Sequence, residues 1–101
     1  PFFLYVPFNA PHAASNLEKD SYQAPAETLE LYPNRDPKDK LTKFYAMVTR
    51  MDEHVGLIRK ALEETGAIDN TLIVFTSDNG GAHYIGVDGL NKLTGLESHL
   101  L

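Results

Sequence analysis

The chain contains no cysteine. Disulfides, thiolate metal sites and cysteine nucleophiles are therefore excluded, while the compartment stays open, since many exported proteins also lack disulfides. Basic residues are few. Nine Lys and Arg against fourteen Asp and Glu give a formal charge of −5 and a pI of about 5.2. The nine are scattered, so the basic patch of a nucleic-acid binder is missing. No apolar run approaches the ~18 residues that a membrane-spanning helix needs. There is no internal repeat and no low-complexity segment. A Ser-His-Asp arrangement, an HExxH helix, an EF-hand loop and a phosphate-cradling glycine-rich loop are all absent. What remains is a composition of ordinary globular type, 101 residues with 43% hydrophobic, enough for one small domain.

The most informative segment is residues 71–81, read TLIVFTSDNGG. An uninterrupted apolar run with β-branched residues at 71–76 fits a strand buried on both faces, as in a parallel sheet covered by helices. Residues 2–6, Phe-Phe-Leu-Tyr-Val between Pro1 and Pro7, read as a second such strand. A loop stiffened by Pro7 and Pro11 carries His12, and a long polar connection follows, with room for a short helical turn near residues 26–31. Asp36-Pro37 has the signature of a helix start, with Asp as N-cap and Pro at the first helical position. Leu41, Phe44, Val48, Met51, Val55, Ile58 and Leu62 then recur at spacings of three and four, the stripe of a long amphipathic helix over about residues 37–65. Gly66 is placed to end it. The expected order is strand, loop, helix, strand, loop, one βαβ unit with a right-handed crossover. Parallel strands would bring the loops of His12 and Asp78 to the same sheet edge, where such sheets bind ligands.

At that edge Asp78 and Asn79 offer adjacent oxygen donors, and Gly80-Gly81 permits a sharp turn or a close backbone approach. Oxygen pairs suit hard cations such as Ca²⁺ or Mg²⁺ better than zinc or copper. The competing reading is a plain Asx-type turn, which Asp, Asn and Gly favour for local reasons. Two oxygens fill only part of the roughly six to eight positions around Ca²⁺. A cation held there would polarise an anionic ester while His12 donated a hydrogen bond to a non-bridging oxygen. His54 and Asp52 read as helix-surface residues, His83 as an exposed loop residue and the five tyrosines as packing groups.

Three blocks carry a further signal: residues 2–12 (FFLYVPFNAPH), 45–56 (YAMVTRMDEHVG) and 69–81 (DNTLIVFTSDNGG). In this order and at this rough spacing they resemble the type I, formylglycine-dependent sulfatases, arylsulfatase-like enzymes. The resemblance covers about residues 1–86. It implies an alkaline-phosphatase-like α/β fold and calcium-dependent hydrolysis of a sulfate ester. It also implies that Asp78 and Asn79 are Ca²⁺ ligands and that His12 contacts the sulfate. The family's formylglycine arises from a Cys/Ser-x-Pro/Ala-x-Arg motif, which none of Ser15, Ser21, Ser77 or Ser98 begins. The family's Asp-Asp metal pair is missing too, and the run from Asn91 to His99 departs from its glycine-rich segment, so no role is carried onto Lys92.

The sequence thus reads as an internal fragment of a sulfatase catalytic domain, 1–101, divergent over 87–101 and inactive alone. Its partners are a sulfated small molecule or glycan and the rest of the parent domain, with neither nucleic acid nor membrane among them. The resemblance places such proteins in the periplasm, in lysosomes or outside the cell. A phosphoric ester hydrolase of the alkaline phosphatase superfamily and a non-catalytic remnant are the alternatives.

Overall fold

The computed structural model describes residues 1–14, 17, 20–78 and 80. Its dominant element is a helix of 25 residues, α2, Lys40–Glu64; a single turn, α1, Ala26–Leu29, precedes it, and a 3₁₀ turn, Ile68–Asn70, follows. Two units result, Pro1–Thr71 and Leu72–Leu101.

The start of α2 differs from the sequence expectation by three residues. Asp36 does not cap the helix. Its Oδ1 accepts from the Lys38 N–H at 2.8 Å and its carbonyl from the Asp39 N–H at 3.1 Å, which closes a separate turn. Asp39 is the N-cap instead: Oδ2 accepts from the Thr42 N–H at 3.2 Å and from the Thr42 hydroxyl at 3.3 Å. Asp and Pro serve a turn as readily as a helix start, and the second aspartate, three residues before a threonine, takes the helix amides.

The C-terminus follows the expectation. Gly66 has φ +69°, its N–H donates to the Glu63 carbonyl at 3.0 Å, and the Ala67 N–H donates to the Leu62 carbonyl at 2.8 Å. This pair of bonds is a Schellman motif. Nothing lies within 4 Å of a Cβ built on Gly66, so the glycine answers a backbone requirement rather than crowding. Gly66→Ala is expected to destabilise the helix end by about 1 kcal/mol, read as a lowered midpoint in thermal melting followed by helical circular dichroism.

Burial on α2 departs from the apolar stripe. Thr42 and Ala46 are fully buried and Met47 nearly so, while all seven stripe residues are only half-buried. Thr42 and Ala46 lie one turn apart, on one face, and their small size lets the preceding segment approach closely. That segment supplies buried Tyr22 and Thr28, and α1 packs on α2. Tyr32 stacks on Tyr45 with ring centroids 6.1 Å apart, and its hydroxyl bonds the Thr49 hydroxyl at 2.6 Å. The Arg35 guanidinium sits 4.8 Å over the Tyr45 ring, and its Nε donates to Thr42 Oγ1 at 3.3 Å. Lys43 pairs with Asp20, and the Ala14 N–H donates to the Ser21 carbonyl at 2.8 Å. The long connection is thereby docked along the first half of α2.

The expected alkaline-phosphatase-like βαβ unit, with parallel strands at 2–6 and 71–76, is not what forms. Among the described residues none belongs to a β-strand. Both runs are exposed: Phe3 is 92% and Leu72 89% accessible. Apolar, β-branched character suits a pleated surface but does not make one, because a strand exists only where a neighbour completes its ladder. With the strands goes the topological reason for placing the His12 and Asp78 loops at one sheet edge.

Candidate functional site

His12 ends a turn built from Asn9-Ala10-Pro11-His12, in which the His12 N–H donates to the Asn9 carbonyl at 2.9 Å and the Ala10–Pro11 peptide is cis. The imidazole Nδ1 lies 2.6 Å from the Ala13 carbonyl oxygen. A carbonyl only accepts, so Nδ1 carries a proton and the ring is fixed in one orientation, with Nε2 as the second functional nitrogen. His12 is exposed. The connection that follows is held on α2 by the Asp20–Lys43 pair and by buried Tyr22, so the His12 turn grows from an anchored segment.

In the other unit Asp78 is exposed, and a hydroxyl-held turn surrounds it. Ser77 Oγ accepts from the Gly80 N–H at 2.9 Å, and the Thr76 hydroxyl donates to the Ser77 carbonyl at 3.2 Å. Gly80 has φ +76° with nothing within 4 Å of a built Cβ. Its place in the turn is again conformational. Asn79, His83 and Lys92 lie outside the described residues. The donor chemistry fits a hard cation, since Asp78 supplies a carboxylate and Asn79 an amide oxygen. It is a partial set: among the described residues no group of three or more His, Asp or Glu side chains is arranged to hold a metal.

The other side chains weighed in the sequence behave as surface groups. His54 Nδ1 donates to the Arg50 carbonyl at 2.8 Å, one turn back on the same helix, and is exposed. Asp52 is exposed as well. Tyr32 and Tyr45 pack on each other and on Arg35. A shallow cleft of about 330 Å³ is lined by Leu29, Tyr32, Pro33 and Arg35 among others, and contains neither His12 nor Asp78. Ser77 is the residue that sequence reasoning passed over. The signal for it was a hydroxyl three positions before a glycine, a spacing that suits a side-chain-closed turn.

Known proteins share this chain's pattern along nearly its whole length. The sulfatase family model matches residues 1–98. An uncharacterized sulfatase of Escherichia coli, YdeN, is 36% identical, over 96% of this chain and 15% of its own. Human N-sulphoglucosamine sulphohydrolase is 33% identical, over 79% of this chain and 21% of its own. An ulvan-active sulfatase of Formosa agariphila is 37% identical, over 79% of this chain and 17% of its own. No solved structure matches. The chain belongs to the sulfatase family. It spans between about one seventh and one fifth of the length of these relatives.

Proposed function

We propose that the complete protein carrying this segment hydrolyses a sulfate ester, with His12 contacting the sulfate group and Asp78 and Asn79 among the ligands of a Ca²⁺ ion. The observation that carries the reading is the family match over residues 1–98, joined to donor chemistry at residues 78 and 79 that suits a hard cation. The human relative's name, with N-sulphoglucosamine in it, favours a sulfated sugar over other sulfated small molecules.

Each residue contributes a definable step. The Nδ1–H of His12 is committed to the Ala13 carbonyl. To donate to a sulfate oxygen as well, Nε2 must carry the second proton, so the ring meets its anionic substrate as a cation. Such a bond is charge-assisted, shorter and stronger than a neutral one. The backbone turn at residues 9–12 holds the imidazole ready, which reduces the ordering cost at binding. Asp78 and Asn79 would hold the cation through their oxygens, and a cation held there would supply positive charge against the anionic sulfuryl group. The nucleophile comes from elsewhere in the protein, because the segment has no cysteine and no serine in the required motif.

The test is release of inorganic sulfate from a generic aryl sulfate by the complete protein, run beside the matching aryl phosphate. Preferential turnover of the sulfate is expected, and the 101-residue chain alone should be silent. Turnover of the phosphate without release of sulfate would overturn the assignment.

A further inference from the structure

We propose that Ser77 is a positioning residue for the cation-binding loop: its hydroxyl bonds the Gly80 amide and so sets the backbone from which Asp78 offers its carboxylate. This inference rests on the metal reading above and adds to it a residue that no ligand role requires. The bond from the Gly80 N–H to Ser77 Oγ, at 2.9 Å, ties the chain on either side of Asp78. Gly80 completes the reversal with φ +76° in open surroundings, and the Thr76 hydroxyl on the Ser77 carbonyl steadies the chain before it.

The charge of the closing group is what matters. A turn closed by an aspartate would commit a carboxylate to a backbone N–H, and a cation arriving beside it competes for the same oxygens. A neutral hydroxyl has no such conflict, so a loop it closes keeps its shape in the free and the bound state. Ser77 is exposed, where water competes for the same hydrogen bond. Removing its hydroxyl therefore costs the fold little and is felt where the loop must be ordered, at cation binding. Threonine keeps an oxygen at the same place; alanine does not.

The experiment is a titration of the metal-free complete protein with Ca²⁺ alone, followed at the backbone amide resonance of Gly80 in glycine-labelled samples. Wild type, Ser77→Ala, Ser77→Thr and Asp78→Ala are compared, with helical circular dichroism as the measure of fold. The wild-type resonance should move saturably. Ser77→Ala should weaken binding roughly five-fold with the helix signal unchanged, Ser77→Thr should bind like wild type, and Asp78→Ala should lose the response. Wild-type affinity in Ser77→Ala, with the response lost in Asp78→Ala, overturns the role of Ser77 and leaves the metal reading standing. A wild-type Gly80 resonance indifferent to Ca²⁺ overturns both.

Discussion

Replacing His12 with alanine in the complete protein is expected to lower kcat/KM for an aryl sulfate by roughly 10²- to 10³-fold, the size of effect seen when one preorganised donor is removed from an anionic reacting centre. The expectation follows from how the ring is held. Its Nδ1 proton is spent on the Ala13 carbonyl at 2.6 Å, and the turn beneath it is closed by the His12 amide on Asn9. On the proposed reading, only Nε2 remains to meet the sulfate, and donating from it as well would make the ring a cation. Glutamine tests the charge separately, because its amide is a donor without one. His12→Gln should recover part of the lost activity and stop well short of wild type. The residue is exposed, so neither change should alter the melting temperature, and steady-state rates with thermal melts on the same samples check both halves. A His12→Ala variant with undiminished kcat/KM would remove this residue from the site.

The second large effect is expected at Asp78. Changes to groups that merely orient a metal's ligands commonly cost about 10- to 100-fold in metal affinity or activity, and loss of a ligating carboxylate should cost more. Asp78→Ala in the complete protein should leave the enzyme without bound calcium after dialysis, with turnover of the aryl sulfate reduced by at least ~10²-fold. Asp78→Asn keeps the shape and one oxygen but removes the charge, so it should retain a measurable fraction that rises with added calcium. Metal content by elemental analysis and rates measured across a calcium series distinguish the two variants. Full activity in Asp78→Ala at low calcium would show that the cation, if used, is held elsewhere.

Periodicity and termination signals made α2 legible before any coordinates. The three-and-four spacing from Leu41 to Leu62 marked a helix, and Gly66 ended it in the left-handed conformation anticipated for it. Its beginning was less legible, because Asp36-Pro37 and Asp39 both carry start chemistry and only the hydrogen bonds to Thr42 decide between them. The buried face escaped the hydropathy pattern. Thr42 and Ala46 are small residues buried on the face where Arg35 bonds Thr42 and Tyr32 stacks on Tyr45, a packing arrangement that an apolar count does not see.

The strand readings failed for a different reason. Residues 2–6 and 71–76 have the side chains of buried strands, but strand formation is a property of pairs, and the described residues supply no ladder for either run. Family membership was legible in the blocks at 2–12, 45–56 and 69–81, and the match over residues 1–98 bears it out. Ser77 was less legible, because its one signal, a hydroxyl three positions before a glycine, fits a solvated side chain as well as the bond to the Gly80 amide that forms.

Crystals of the complete protein grown with calcium, measured for anomalous scattering, bear most directly on the claim that the Asp78 loop holds the cation. A peak is expected about 2.3–2.6 Å from an Asp78 carboxylate oxygen and from the Asn79 amide oxygen. A calcium peak bound entirely by other residues, with the Asp78 carboxylate turned onto its own backbone, would contradict it.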